Sequence, residues 1–151
     1  MKKVIIIIAA LFCMSIYNTA QIDSDTKVET TAVETCMLTV EISGMDSDKG
    51  TMMVAIYDSE AGWLSQRYAA SSSNIQNGKA TVTFADLPLG IYGISTYQDE
   101  NDNKILDTRI FGIPKEPYAS SRGAKGMFGP PKWEDARFEL KDDTHTELIN
   151  Y

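Results

Sequence analysis

Apolar and polar residues alternate in short runs through most of this chain. In "LTVEIS", Leu38, Val40 and Ile42 fall on one face, the period-two signature of a strand with one side buried. "TMMVAIYD" is apolar on both faces and reads as a central strand. In "NIQNGKATVTF", Asn77-Gly78 is a hairpin signal, because both residues tolerate the positive φ of a type I′ turn. Beyond it Ala80, Val82 and Phe84 alternate. "LPLG" is a turn, and "IYGISTYQ" is another largely buried strand. Ala136, Phe138 and Leu140 alternate with Arg137, Glu139 and Lys141; "DDTH" turns the chain, and "TELINY" closes it as a last strand. Only "SEAGWLSQRYAA" suits a helix, and Gly62 weakens it. About seven short strands with short connections predict an all-β sandwich with Greek-key-like connections, of the Ig-like or transthyretin-like kind, with an isolated barrel as the alternative.

One connection breaks this rhythm. From Asp99 to Asp135 no strand is evident, and structureless loops longer than about 15 residues tend to be functional. The stretch holds Pro114, Pro117, Pro130 and Pro131, and also Phe111, Tyr118, Phe128 and Trp133. That composition predicts an ordered loop packed on the sandwich, since disordered segments are poor in aromatics.

The N-terminus has a different pattern. Lys2 and Lys3 precede an apolar run from Val4 to about Ile16, followed by small and polar residues to Ala20. This is the layout of a secretory signal peptide over residues 1–20. The run is shorter than the roughly 20 residues of a membrane span, so the mature chain is expected to lack a transmembrane segment. Phe12 before Cys13 argues against lipidation. Export from a bacterial cell follows, to the periplasm or to the cell surface and medium. Residues 21–35 are polar and read as a linker, with an edge strand starting near Val33; residues 36–151 form the domain. Cys36 is then the lone cysteine, so no intramolecular disulfide forms. It is expected either to be buried beside the first strand or to pair between chains.

The chain has 151 residues, 43% of them hydrophobic, and a net charge of -7. Taking Lys2 and Lys3 from the 14 basic residues leaves 12 against 21 acidic ones, or -9. Nucleic acid is excluded as a partner, because phosphate binding needs clustered Lys and Arg. Cations are compatible with this charge.

Candidate chemistry concentrates in "YQDENDNKILDTRIFGIPKEP". Asp99, Asn101 and Asn103 alternate, and Asp107 follows four residues later. Calcium loops take oxygens from positions 1, 3, 5, 7 (a backbone carbonyl), 9 and 12. Counted from Asp99, these are Asp99, Asn101, Asn103, Ile105, Asp107 and Ile110. Ile110 supplies no carboxylate, and Glu116 is the next one that could close the sphere. Lys104 stands at position 6, where a glycine favours the sharp turn. Affinity for Ca2+ should therefore be modest. Asp and Asn also favour turns by bonding to nearby backbone N–H groups, so a metal-free run of Asx-turns is the competing account.

The same residues carry a family resemblance. "LPLGIYGIS", "YQDENDNKILDTRIFGIPKEPYASS" and "FGPPKWEDARFEL" resemble the DUF2141 domain, a family of uncharacterised bacterial secreted proteins, across roughly Leu38 to Leu140. Asp99, Asn101, Asn103, Asp107, Gly112, Pro114 and Glu116 match its pattern. Gln98 stands where His is usual, Lys104 and Pro117 where Gly is usual. The resemblance implies a β-sandwich without established enzymatic activity, and the loop looks like calcium loops of bacterial surface β-sandwich repeats.

Other chemistry is weaker. His145 is the only histidine, lies far in sequence from the polar loop, and is expected on the surface. One His and one Cys do not make a zinc site. Two carboxylates suffice for a glycosidase, so Asp99, Asp107 and Glu116 keep a small hydrolase as a third choice behind a non-enzymatic module. Trp63, Tyr118, Phe128 and Trp133 either pin the loop to the core or stack on a glycan or protein ligand.

Overall fold

The computed structural model describes residues 33–151 apart from Phe128. The expected signal peptide, Cys13, the linker as far as residue 32, and Phe128 lie outside the described residues. No helix among the described residues is long and apolar enough to cross a membrane.

The fold is all-β. Its strands are β1 (Thr35–Ser43), β2 (Thr51–Tyr57), β3 (Ala69–Asn74), β4 (Lys79–Pro88), β5 (Gly90–Asp99), β6 (Tyr118–Ser120), β7 (Phe138–Leu140) and β8 (Thr144–Asn150); one helical turn, α1 (Trp133–Ala136), precedes β7. One sheet has the order β4-β1-β8 and the other β3-β2-β5-β6, with β7 paired to the start of β5. β1 runs antiparallel to β4 and parallel to β8.

The alternation read from the sequence is the alternation of burial. Cys36, Leu38, Val40 and Ile42 of β1 and Ala80, Val82 and Phe84 of β4 face Met52, Val54 and Ile56 of β2 and Tyr92 and Ile94 of β5 in one core. Each fully buried aliphatic side chain contributes about 1.5–3 kcal/mol. A bulge keeps the pattern in phase. Leu38 pairs with Phe84 but Cys36 pairs with Leu87, so β4 carries one extra residue. Asp86 takes φ 56 there, and Leu87 still points inward.

The Asn77-Gly78 turn forms as predicted, with φ 52 and φ 67 and backbone bonds between Gln76 and Lys79 of 2.8 and 3.1 Å. Its arms then separate, since β3 and β4 belong to different sheets. Both oxygens of Asp48, in the β1–β2 loop, accept the N–H groups of Asn77 and Gly78 at 2.9 and 2.8 Å.

Two expectations change. "SEAGWLSQRYAA" is not a helix. It makes tight turns, with Ser65 and Gln66 N–H both on the Gly62 carbonyl; Leu64 at φ 57 prevents helical continuation, and Ala69 and Ala70 open β3. The long connection is also less bare than expected. It contains β6, a three-residue strand against β5 at Ser95–Tyr97, and α1.

Candidate functional site

β5 lies between β2 and β6 and delivers Asp99 at its end. Asp99 is 1% exposed, so its carboxylate must find donors inside the protein. One oxygen accepts Asn103 N–H at 3.1 Å and the other Lys104 N–H at 2.7 Å. Bringing those groups back to Asp99 requires a tight curl. Asp102 at φ 56 and Lys104 at φ 64 supply it, at about 1–2 kcal/mol for each left-handed residue. Lys104 therefore adopts the backbone conformation for which glycine is suited. Two Asx-turns line the inside: Asn101 Oδ1 accepts Asn103 N–H at 3.1 Å, and Asn103 Oδ1 accepts Ile105 N–H at 2.8 Å.

The curl directs its polar side chains toward Asp107. Asn101 Nδ2 donates to Asp107 Oδ2 at 2.7 Å, and Asn103 Nδ2 reaches Oδ1 at 3.4 Å. Glu116 is buried, and its two oxygens accept Glu100 N–H at 3.0 Å and Asp107 N–H at 2.9 Å. It clamps the beginning and middle of the loop together. The Thr51 hydroxyl adds a bond to Asp102 at 2.7 Å. Asp99, Asn101, Asn103 and Asp107 thus meet in one loop, Ile105 joins through its backbone N–H, and Glu116 sits at the base.

All the side-chain donors to a cation here would be oxygens, the right class for Ca2+. Among the described residues, no three His, Cys, Asp or Glu side chains are grouped as a metal centre. A cation would therefore depend on the Asn101 and Asn103 amide oxygens and backbone carbonyls as much as on carboxylates.

Sequence reasoning missed the support under the loop. Gln98 is 1% exposed, and its amide donates to Ser47 O, Ser47 Oγ and Lys49 O at 3.1, 3.1 and 2.8 Å. It ties the β1–β2 loop to the root of the acidic one. A Cβ on Gly50 would lie 1.9 Å from the Asp99 carbonyl oxygen, so only glycine fits. The unusual Gln at position 98 was visible in the sequence; its partners, some fifty residues earlier, were not.

The remaining candidates have structural surroundings. Trp63 Nε1 donates to the Pro131 carbonyl at 2.8 Å, and Trp63 packs against Tyr57 and Trp133. These tryptophans pin the far end of the long connection to the sheet. Tyr118 is 44% exposed. His145 stacks on Phe138 and lies 3.4 Å from Glu147. Cys36 is buried in the core, where burial pushes its thiol pKa up, with smaller effects from Asp142 and Asp143.

Residues 40–148 match a family model described as "Uncharacterized protein conserved in bacteria (DUF2141)". The match spans most of the chain, and the protein belongs to this family. No curated protein and no solved structure matches it.

Proposed function

We propose that this DUF2141 domain is an exported, non-enzymatic β-sandwich module whose acidic loop takes up Ca2+ weakly and is stiffened by it. The observation that carries this reading is the curl from Asp99 to Asp107. One buried carboxylate holds the N–H groups four and five residues on, and this turns Asn101, Asn103 and Asp107 toward a common interior. Calcium would take one Asp99 oxygen, the Asp107 carboxylate, the Asn101 and Asn103 amide oxygens and the Ile105 carbonyl, with water completing the sphere. Glu116 would stay in place as the clamp. Binding must first release both amides from Asp107, which keeps affinity in the millimolar range of extracellular modules. The non-enzymatic part is supported by how the carboxylates are used: Asp99 and Glu116 spend both oxygens on backbone N–H groups instead of presenting them to a substrate. Export rests on the N-terminal sequence pattern.

Thermal melting in increasing calcium tests the metal. Calcium at about ten times its Kd should add about 1.4 kcal/mol, a rise of about 4–8 °C for a domain of this size. Asp107→Asn should abolish the rise. A wild-type melt that does not move at 10 times the millimolar range, about 10 mM, removes calcium. The amide bonds to Asp107 would then be the working state of a metal-free loop that presents a surface to a glycan or protein.

A further inference from the structure

Beyond the acidic curl, the chain makes a second, smaller hairpin that no polar chemistry explains. Thr108 bridges Pro114, Arg109 N–H bonds to Ile113 O at 2.7 Å, Gly112 N–H bonds to Arg109 O at 3.1 Å, and Lys115 N–H bonds to Asp107 O at 2.8 Å. At the apex Ile110, Phe111 and Ile113 are 79%, 96% and 59% exposed. The tip stands clear of the protein, for nothing lies within 4 Å of a Cβ added at Gly112. Phe111 also has φ 67, a left-handed conformation rare for a bulky residue. Burial does not ask for an aromatic here, and the backbone would prefer glycine. A large apolar side chain held at such a position points to a surface outside the chain.

The charges around the tip identify that surface. Arg109 and Lys115 flank the tip and are exposed; Lys104 is exposed beside the exposed Asp102, while Asp107 is half-buried against the loop amides and Glu116 is buried at the clamp. Neither ion pair among the described residues involves these three cations. On a chain of net charge -7, residues 108–115 carry Arg109 and Lys115 and no acidic side chain. A protruding apolar apex flanked by Arg109 and Lys115 is complementary to an anionic bilayer, where the apex enters the acyl boundary and the two cations meet headgroups. We propose that the 108–114 hairpin docks this domain on anionic lipid surfaces by inserting Ile110, Phe111 and Ile113. The hairpin is closed by its own backbone bonds, so the proposal does not rest on calcium.

The test uses the protein as its host cell processes it, with chelator present, and vesicles of phosphatidylglycerol mixed with phosphatidylcholine or of phosphatidylcholine alone. The wild type should sediment with the anionic vesicles. Phe111→Ser should weaken this by about tenfold, and Arg109→Gln by about fivefold, with salt weakening the wild type as well. In Phe111→Trp, the added emission should shift to the blue and be quenched by brominated lipid. Phe111→Gly should lose binding like the serine variant while melting no lower than the parent, which separates docking from folding. Equal sedimentation of Phe111→Ser and wild type overturns the proposal, as does failure of the wild type to bind anionic vesicles. Tip-dependent capture of a protein partner with no vesicle binding also overturns it, in favour of a protein groove.

Discussion

Gly93 shows how tightly single positions are constrained where the long connection meets the sheet. It lies in β5, and a Cβ there would come within 2.8 Å of Trp133 and 2.9 Å of Trp63. Both rings are large and rigid, and both are held, one by the Pro131 carbonyl and the other within α1. Gly93→Ala should therefore overpack the site and destabilise the domain by about 1–3 kcal/mol, readable as a lower urea midpoint. An unchanged midpoint would mean that the tryptophans are free to move and do not pin the connection. Asp99 and Glu116 are constrained differently. Both are buried carboxylates satisfied by backbone N–H groups, and each shapes a loop by gathering donors distant along the chain.

Among the elements, those with a period-two apolar pattern were legible. β1, β4 and β7 fall where alternation placed them, β2 and β5 where largely apolar runs did and β8 where a closing strand was expected, and the Asn77-Gly78 turn has the predicted backbone. β3 was not legible, because "AASSSN" is small and polar and all but exposed; it is a strand through pairing with β2, which no local pattern records. The segment before it, "SEAGWLSQRYAA", read as helical because propensity cannot register the left-handed turn at Leu64. At the candidate site the membership of Asp99, Asn101, Asn103 and Asp107 was legible from spacing. The roles of Gln98, Gly50 and Glu116 came only from contacts distant in sequence.

The Asn77-Gly78 turn also carries a pH-dependence. The N–H groups of Gly78 and then Asn77 hold Asp48 below the ordinary carboxylate value of 3.8. A depressed pKa contributes stability above the unfolded value, and that contribution is lost as pH falls through the folded one. Asp48→Asn should thus be less stable than the wild type at pH about 7, with the gap closing below pH about 4. Urea midpoints at the two pH values measure this. A gap independent of pH would show that Asp48 acts through shape alone.

The described residues form a two-sheet β-fold whose core cluster is built from strands and the residues beside them outside the long connection, with Ala119 of β6 packed against it. That division leaves the connection free to carry function. One end is pinned by Trp63 and Trp133, the other by Gln98 and Glu116, and between them stand the acidic curl and the apolar hairpin. Nuclear magnetic resonance of the acidic curl tests the central claim most directly, by following the side-chain amide signals of Asn101 and Asn103 as calcium is added. Both should shift together and saturate in the millimolar range, while the backbone N–H groups of Asn103 and Lys104 keep the signature of bonding to Asp99. Amide signals that stay fixed through about 10 mM calcium, still bonded to Asp107, would contradict it.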